Sequence, residues 1–361
     1  MNIISNWFKT ISENPQLTLL ILLLVFVTTS ILLTASILAP FLAAVVLAYL
    51  LQVFVDRLEG HGVSPWLSIA LVFVVFVFLT LAVVFGLIPL LIRQVTQLTR
   101  QAPEFIAYLQ ETVSHLPDEY PSLITPAQAS QVMDQLQTEV LDFSQALVGS
   151  LGGTVVGLMT WVVYLIIVPL MVFFLIKDKD KVVSWLASFL PRDRELTGRV
   201  WVEVHRQLQN YVGGKALEIL IVAGVTYITF SFIDLQYALL LAVITGFSVL
   251  IPYIGAAVVA LPVATVAVLQ WGFTSDAGVA MIAYGVIQAV DGNVLAPIVF
   301  SEVVDIHPVA IIVAILFFGG IWGFWGVFFA IPLAVVVQAV IGAWPRRGPD
   351  PVQNEPLNRP S

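Results

Sequence analysis

The sequence contains no cysteine, and its four histidines, His61, His115, His205 and His307, are widely spaced. Without cysteine there can be no disulfide bond, no thiolate metal ligand and no cysteine nucleophile. The histidine spacing matches no metal-ligand pattern. GxSxG, HExxH and Walker sequences, which mark common hydrolase, metalloprotease and nucleotide-binding sites, are also absent. We therefore predict that the protein is not an enzyme, has no catalytic residues and needs neither a metal nor another cofactor.

Charged residues are scarce as well. They make up 11% of the 361 residues, whereas 59% are hydrophobic, and the mean hydropathy is +0.99. A soluble domain has about one quarter charged residues. The net charge of −8 and the lack of a basic cluster exclude nucleic acid as a partner. The composition predicts an all-α, polytopic integral membrane protein whose first partner is the lipid bilayer.

The N-terminal region, residues 1–92, contains three apolar runs. Runs 17–39 and 40–55 are each long enough to approach a bilayer crossing, and they predict a helical hairpin closed by the polar turn at 56–62. The third run covers residues 66–92. We expect all three runs to be membrane helices.

Two polar segments flank the fourth predicted span, residues 151–176. Residues 93–150 are rich in acids and predict a small helical insert, with a capping box at Thr125. Residues 177–210 carry amphipathic patterns and much of the basic charge: 8 of the 15 Lys and Arg residues lie between positions 177 and 215. The positive-inside rule makes this segment cytoplasmic and the insert extracytoplasmic.

The C-terminal transport region, residues 211–345, has six acids but no Lys or Arg after Lys215. Two spans, 211–233 and 278–300, are each followed by a long apolar run, at 236–271 and 308–343. One crossing takes about 20 residues, so each long run is either strongly tilted or broken. One net crossing for each run gives eight crossings with both termini cytoplasmic and a disordered tail at 346–361.

The two long runs also align with each other, which suggests an internal repeat. Asp234 and Asp305 each stand 21 positions before a glycine, Gly255 or Gly326. Repeats with interrupted helices are a common architecture of secondary transporters, with binding at the breaks. The candidate helix-break or gate residues are Pro252, Gly255, Pro297, Gly319, Gly320, Trp322, Gly323, Gly326 and Pro332.

Acidic and amide side chains in this region are the candidates for substrate or ion coupling: Asp291, Asn293, Glu302, Asp305 and Asp234. Asp291 stands out because it lies about 13 residues into its span, and no Lys or Arg occurs between positions 215 and 346 to neutralise it. A carboxylate at such depth persists where it faces a cavity or a partner. The alternative is that Asp291 only caps a broken helix. Glu218 is expected to pair with Lys215.

Several long motifs resemble the autoinducer-2 exporter family, and within it the PerM-type permeases. They are VPLMVFFLIKDK at 168–179, GFSVLIPYIGA at 246–256, QAVDGN at 288–293 with Pro297, and HPVAIIVAILFFGGIWGFWGVFFAIPLA at 307–334. The resemblance covers nearly the whole chain. It implies a multi-pass transporter in the bacterial inner membrane, since members include exporters of the uncharged signal autoinducer-2 and sodium or lithium/proton antiporters.

Three functions therefore remain open. The first is a secondary transporter that exports a small metabolite, with unpaired acids coupling export to protons. The second is a Na⁺(Li⁺)/H⁺ antiporter in which the same carboxylates bind the cation. The third is a non-transporting membrane scaffold. The insert and the basic segment also offer surfaces for a homo-oligomer.

Overall fold

The computed structural model describes residues 15–119, 125–151, 155–188, 195–252, 254–300, 308–334 and 337. Every regular element among these residues is a helix, which confirms the all-α prediction. The chain divides into two compact units. The larger unit comprises residues 37–184 and 209–303, and the smaller one comprises residues 1–36, 185–208 and 304–361.

The first helix differs from the prediction. Instead of a hairpin of two helices, residues Pro15–Gly60 form one helix, α1, with Pro40 inside it. A proline removes one backbone hydrogen bond, and helices in an apolar environment tolerate that loss when their surroundings compensate for it. The turn before α2, Pro65–Ala82, lies at 61–64, so the chain reverses once rather than twice before residue 82.

Residues of the predicted insert lie in two helices that pack on each other. A π-helical turn at Val83–Leu87 connects α2 to α3, Ile88–Glu119, and α4 covers Pro126–Leu151. At the start of α4, the Thr125 backbone N–H donates to Gln128 Oε1 at 3.0 Å, and the Gln128 backbone N–H donates to Thr125 Oγ1 at 3.3 Å. This reciprocal pair is the capping box that the sequence predicted.

The middle of the chain bends sharply where the basic segment begins. Helix α5, Val155–Lys177, is followed after one residue by α6, Lys179–Ser188, at 82°. Asp178 at the bend pairs with Lys181, with 2.7 Å between Nζ and Oδ1. Helix α7, Glu195–Phe232, then combines the second amphipathic stretch and the fifth predicted span in one element.

The two long C-terminal runs are broken, which is one of the two arrangements, strongly tilted or broken, that their length allowed. The first gives α8, Ala238–Ser248, and α9, Ile254–Trp271. Helix α10, Ser275–Val290, continues through a π-helical turn at Asp291–Leu295 into α11, Ala296–Phe300. The second run gives α12, Pro308–Trp322, and α13, Phe324–Phe328.

Within the described residues, five helices are long and apolar enough to cross a membrane, or six if the bent pair α5–α6 counts as one span. We expected eight. Part of the difference arises because the two crossings predicted at 17–39 and 40–55 lie in the single helix α1. The rest arises because the break in the last run leaves a short piece: α12 has 15 residues, roughly 22 Å, which is less than the ~30 Å hydrocarbon core.

Two apolar cores hold the larger unit together. One joins α1, α2 and α5 through Ala44, Val55, Phe76 and Val172. The other joins the end of α7 to α8, α9 and α10, with Leu241, Val263 and Ala280 fully buried. A small third cluster of Val222, Val249 and Ile287 ties the middle of α7 to the end of α8 and to α10.

The breaks in the two runs have the same backbone packing. A Cβ at Gly255 would overlap the carbonyl oxygen of Ser248, and a Cβ at Gly326 would overlap that of Phe318. In each run, a glycine early in the second helix lets the backbone approach the end of the first helix. This shared arrangement supports the repeat that aligns Gly255 with Gly326.

Candidate functional site

A buried ion pair lies in the middle of α7. Lys215 Nζ is 2.7 Å from Glu218 Oε2, and the two side chains are only 5% and 3% exposed. The pairing expected from the sequence is confirmed. Because an isolated charge in an apolar interior is strongly unfavourable, each of these side chains depends on the other.

Lys215 also reaches the break between α8 and α9. Its ammonium donates a hydrogen bond of 2.8 Å to the carbonyl oxygen of Val249, the residue that ends α8. The last carbonyls of a helix have no partner within the helix, and the helix dipole makes this end favourable for a cation. One side chain therefore connects Glu218 on α7 to the backbone of the break.

A second carboxylate completes the group. Asp291 begins the π-helical turn after α10 and interacts electrostatically with both Lys215 and Glu218. We call Lys215, Glu218 and Asp291 the charge cluster. The packing of Val222, Val249 and Ile287 brings the three elements together around it.

The cluster contains polar atoms that have no partner in the described part of the chain. Asp291 Oδ1 and Gln288 Nε2 are both buried, and neither makes a hydrogen bond with another described residue. Gln288 precedes Asp291 by three positions, so the two side chains lie on neighbouring parts of one helix face. π-helical turns interrupt regular hydrogen bonding and are frequent at functional sites.

This arrangement corrects one expectation. Asp291 was predicted to have no basic partner, since no Lys or Arg follows Lys215 until residue 346. Lys215 lies near enough across the helix interface to favour the ionised Asp291 electrostatically, although Asp291 Oδ1 makes no hydrogen bond with a described residue. The cluster thus has one positive and two negative side chains when all three are ionised, and Asp291 carries the excess charge.

The other predicted residues of the larger unit lie outside the cluster. Asn293 is exposed, and its amide donates to Ala289 O at 2.8 Å, so it bonds its own helix. Asp234 follows the end of α7 with φ of 55°, and its carbonyl accepts a bond from Gln270. It lies roughly 28 Å along the α7 axis from Lys215. Pro297 is exposed in α11, and Pro252 lies in the break beside Gly255.

Six of the predicted helix-break or gate residues belong to the smaller unit: Gly319, Gly320, Trp322, Gly323, Gly326 and Pro332. Gly323 has φ of 57° and ψ of −133°, a conformation that favours glycine. Gly319 lies against Val327, whereas Gly320 has open space around it. Trp322 lies against Phe318, with 5.9 Å between ring centroids, and its indole N–H is buried without a partner among the described residues. Pro332 is buried. Glu302, Asp305 and His307 lie outside the described residues.

The sequence did not indicate that Lys215 would serve three groups at once. One feature of the sequence could have drawn attention to Lys215: it is the last base before a region of 130 residues with six acids. The contact with Val249 could not have been read from spacing, since it joins positions 34 residues apart.

The buried pair gives a stability prediction. Lys215→Met should lower the free energy of unfolding by about 3–5 kcal/mol, since it leaves Glu218 buried without its partner. The double variant Lys215→Met/Glu218→Leu should recover most of that loss, because it removes both charges. Thermal unfolding in detergent, followed by tryptophan fluorescence, measures the difference. If the double variant is less stable than Lys215→Met, the pair is not a mutually dependent unit.

Proteins of similar sequence are named as permeases or transport proteins, which agrees with a helical fold that has several apolar spans. The chain is 41% identical over 345 residues to "Putative permease PerM" of Escherichia coli (strain K12), which covers 96% of this chain and 98% of that protein. It is 27% identical over 341 residues to "Putative transport protein YueF" of Bacillus subtilis (strain 168), covering 89% and 90%. Residues 20–346 match the model of the AI-2E family transporters. The chain therefore belongs to the AI-2E transporter family, and it is a multi-pass membrane transporter.

Proposed function

We propose that this chain is a secondary transporter that exports a small, uncharged or weakly polar metabolite across the bacterial inner membrane. The observation that carries the proposal is the charge cluster, buried where α7, the α8–α9 break and the π-helical turn meet. Ionisable groups inside a membrane protein are costly and mark transport pathways and proton relays. A break beside them is the usual site of binding in transporters built from repeats.

The cluster suggests how proton movement is coupled to a change of shape. When Asp291 is protonated, the Lys215 ammonium binds both the Glu218 carboxylate and the Val249 carbonyl oxygen. Loss of that proton makes Asp291 a competitor for the Lys215 ammonium. A shift of Lys215 toward Asp291 releases the Val249 carbonyl and loosens the α8–α9 break. The protonation state of Asp291 thereby selects between two arrangements of the break, which is what coupling requires.

Lys215 favours export over cation antiport. In an antiporter, Na⁺ or Li⁺ would bind the same carboxylates, but here an ammonium group already lies 2.7 Å from Glu218 and interacts with Asp291. A second cation next to it would be repelled. A scaffold without transport has no need of buried charges or of a broken helix.

The orientation follows from the basic segment. We propose that residues 177–210 and the C-terminus are cytoplasmic and that the α3–α4 insert is extracytoplasmic. The cytoplasmic N-terminus expected from the sequence needed two crossings before α2, and it no longer follows because residues 15–60 form the single helix α1. Single cysteines at Ser130 in α4 and Ser184 in α6 should react with a membrane-impermeant maleimide from opposite sides, because both serines are exposed. The chain has no cysteine of its own to interfere. Labelling of both positions from the same side would contradict this topology.

The coupling role makes Asp291 the residue most sensitive to loss of charge. Asp291→Asn keeps the size and most hydrogen-bonding capacity of the side chain but cannot ionise. It should reach the membrane in normal amount and lose gradient-driven efflux. The assay uses liposomes that contain the protein and a bacterial metabolite extract. Mass spectrometry identifies the compounds released when a pH gradient is imposed.

Asp276→Asn is the matched control, because Asp276 is an exposed carboxylate in the first turn of the same α10. It should release metabolites like the parent. A pH-sensitive dye in the same liposomes tests antiport: collapse of the gradient by Na⁺ or Li⁺, without metabolite release, would replace export with antiport. Parental efflux by Asp291→Asn at every pH would show that Asp291 is only a helix cap.

A further inference from the structure

The structure contains an open groove in the larger unit that is separate from the charge cluster. It has a volume of about 500 Å³ and lies between α1, α7 and α11. Cavities of this size accommodate a small ligand or part of a larger one. All three helices belong to segments that are candidate membrane spans. The groove therefore lies between candidate membrane-spanning segments.

One wall of the groove is a single face of α1. Leu50, Val53, Phe54 and Arg57 line it, and their spacing of three and four residues places them on the same side of the helix. The wall is apolar for two turns and then ends in a guanidinium, three residues before the end of the helix at Gly60. An apolar wall with a cation at its end matches the chemistry of an amphiphile with a negative head.

The opposite wall is a single face of α7. Asn210, Gly213, Gly214 and Leu217 line it with the same spacing. A Cβ at Gly213 would meet nothing within 4 Å, so the glycine leaves room in the groove rather than allowing close packing. Asn210 adds an amide that donates and accepts hydrogen bonds.

Charge decides which head group fits. Among the described residues that line the groove, Arg57 is the only charged one. The two nearby acids, Asp56 and Glu59, fall on other faces of α1, and the Asp56 carboxylate accepts a hydrogen bond of 2.6 Å from Gln52. Among the described residues, no carboxylate forms an ion pair with Arg57. An anionic head group would supply the missing negative charge.

We propose that this groove is a binding site for an anionic phospholipid, with the phosphate on Arg57 and Asn210 and an acyl chain along Leu50, Phe54 and Leu217. Basic pockets between membrane helices bind anionic head groups in this way. Phe54, Leu217 and Ile298 are 49%, 51% and 69% exposed, so an acyl chain would cover apolar surface that the protein leaves open. A lipid here would bridge α1 to α7 on the face next to Lys215.

Native mass spectrometry of the purified full-length chain tests the site, with phosphatidylglycerol and phosphatidylcholine as probes. The parent should retain phosphatidylglycerol in preference to phosphatidylcholine. Arg57→Gln should weaken phosphatidylglycerol binding by roughly fivefold, because one basic residue is lost. Gly213→Leu should weaken binding of both lipids, since its side chain fills the groove.

Two control variants separate this site from general lipid contact. Arg93→Gln removes an arginine that does not line the groove, and Gly224→Leu adds a leucine elsewhere on α7, where a Cβ also meets nothing within 4 Å. Both should bind phosphatidylglycerol like the parent. Equal binding by the parent, Arg57→Gln and Gly213→Leu would overturn the proposal. Disulfide-linked dimers of Phe54→Cys in vesicles would also overturn it, because a second copy would then occupy the groove.

Discussion

The structure depends on one constraint: a lysine and a glutamate are held inside an apolar helical protein with almost no water contact. Neither charge is tolerable alone at this depth, so Lys215 must stay near Glu218, and any further acceptor must come to them. The Val249 carbonyl is such an acceptor, and Asp291 interacts with both charges electrostatically. The ion pair and its bond to Val249 therefore hold α7 against the α8–α9 break, next to the π-helical turn. The same requirement makes the group sensitive to a single proton.

Backbone hydrogen bonding sets the second constraint. A broken helix exposes carbonyl groups that lipid cannot satisfy, so breaks must be buried in protein or supplied with donors. The ammonium of Lys215 does this for the carbonyl of Val249 at the end of α8. At Gly255 and Gly326 the missing side chain lets one backbone segment lie against another. Lysine thus supplies a hydrogen-bond donor at the first break, and glycine allows close backbone packing at both breaks.

Much of the fold could be predicted from the sequence because apolar length and breaking residues act locally. The all-α class and the Lys215–Glu218 pair were predicted correctly, and the length of the C-terminal runs limited them to strongly tilted or broken helices. The N-terminal hairpin was wrong, since the effect of Pro40 depends on whether the surroundings accept a missing hydrogen bond. The link from Lys215 to Asp291 was missed because it joins positions 76 residues apart. Tertiary packing decides such contacts. The packing of Val222 against Ile287, for example, cannot be recognised from any periodic pattern in the sequence.

We infer that the charges of the cluster serve transport rather than folding alone. This role is tested by gradient-driven metabolite efflux from liposomes that contain the Lys215→Met/Glu218→Leu double variant, at a temperature where the variant is fully folded. We expect a folded protein that releases nothing above protein-free liposomes, because Asp291 then has no ammonium to compete for and the break no longer responds to its proton. Efflux at the parental rate would show that the buried charges are structural groups only.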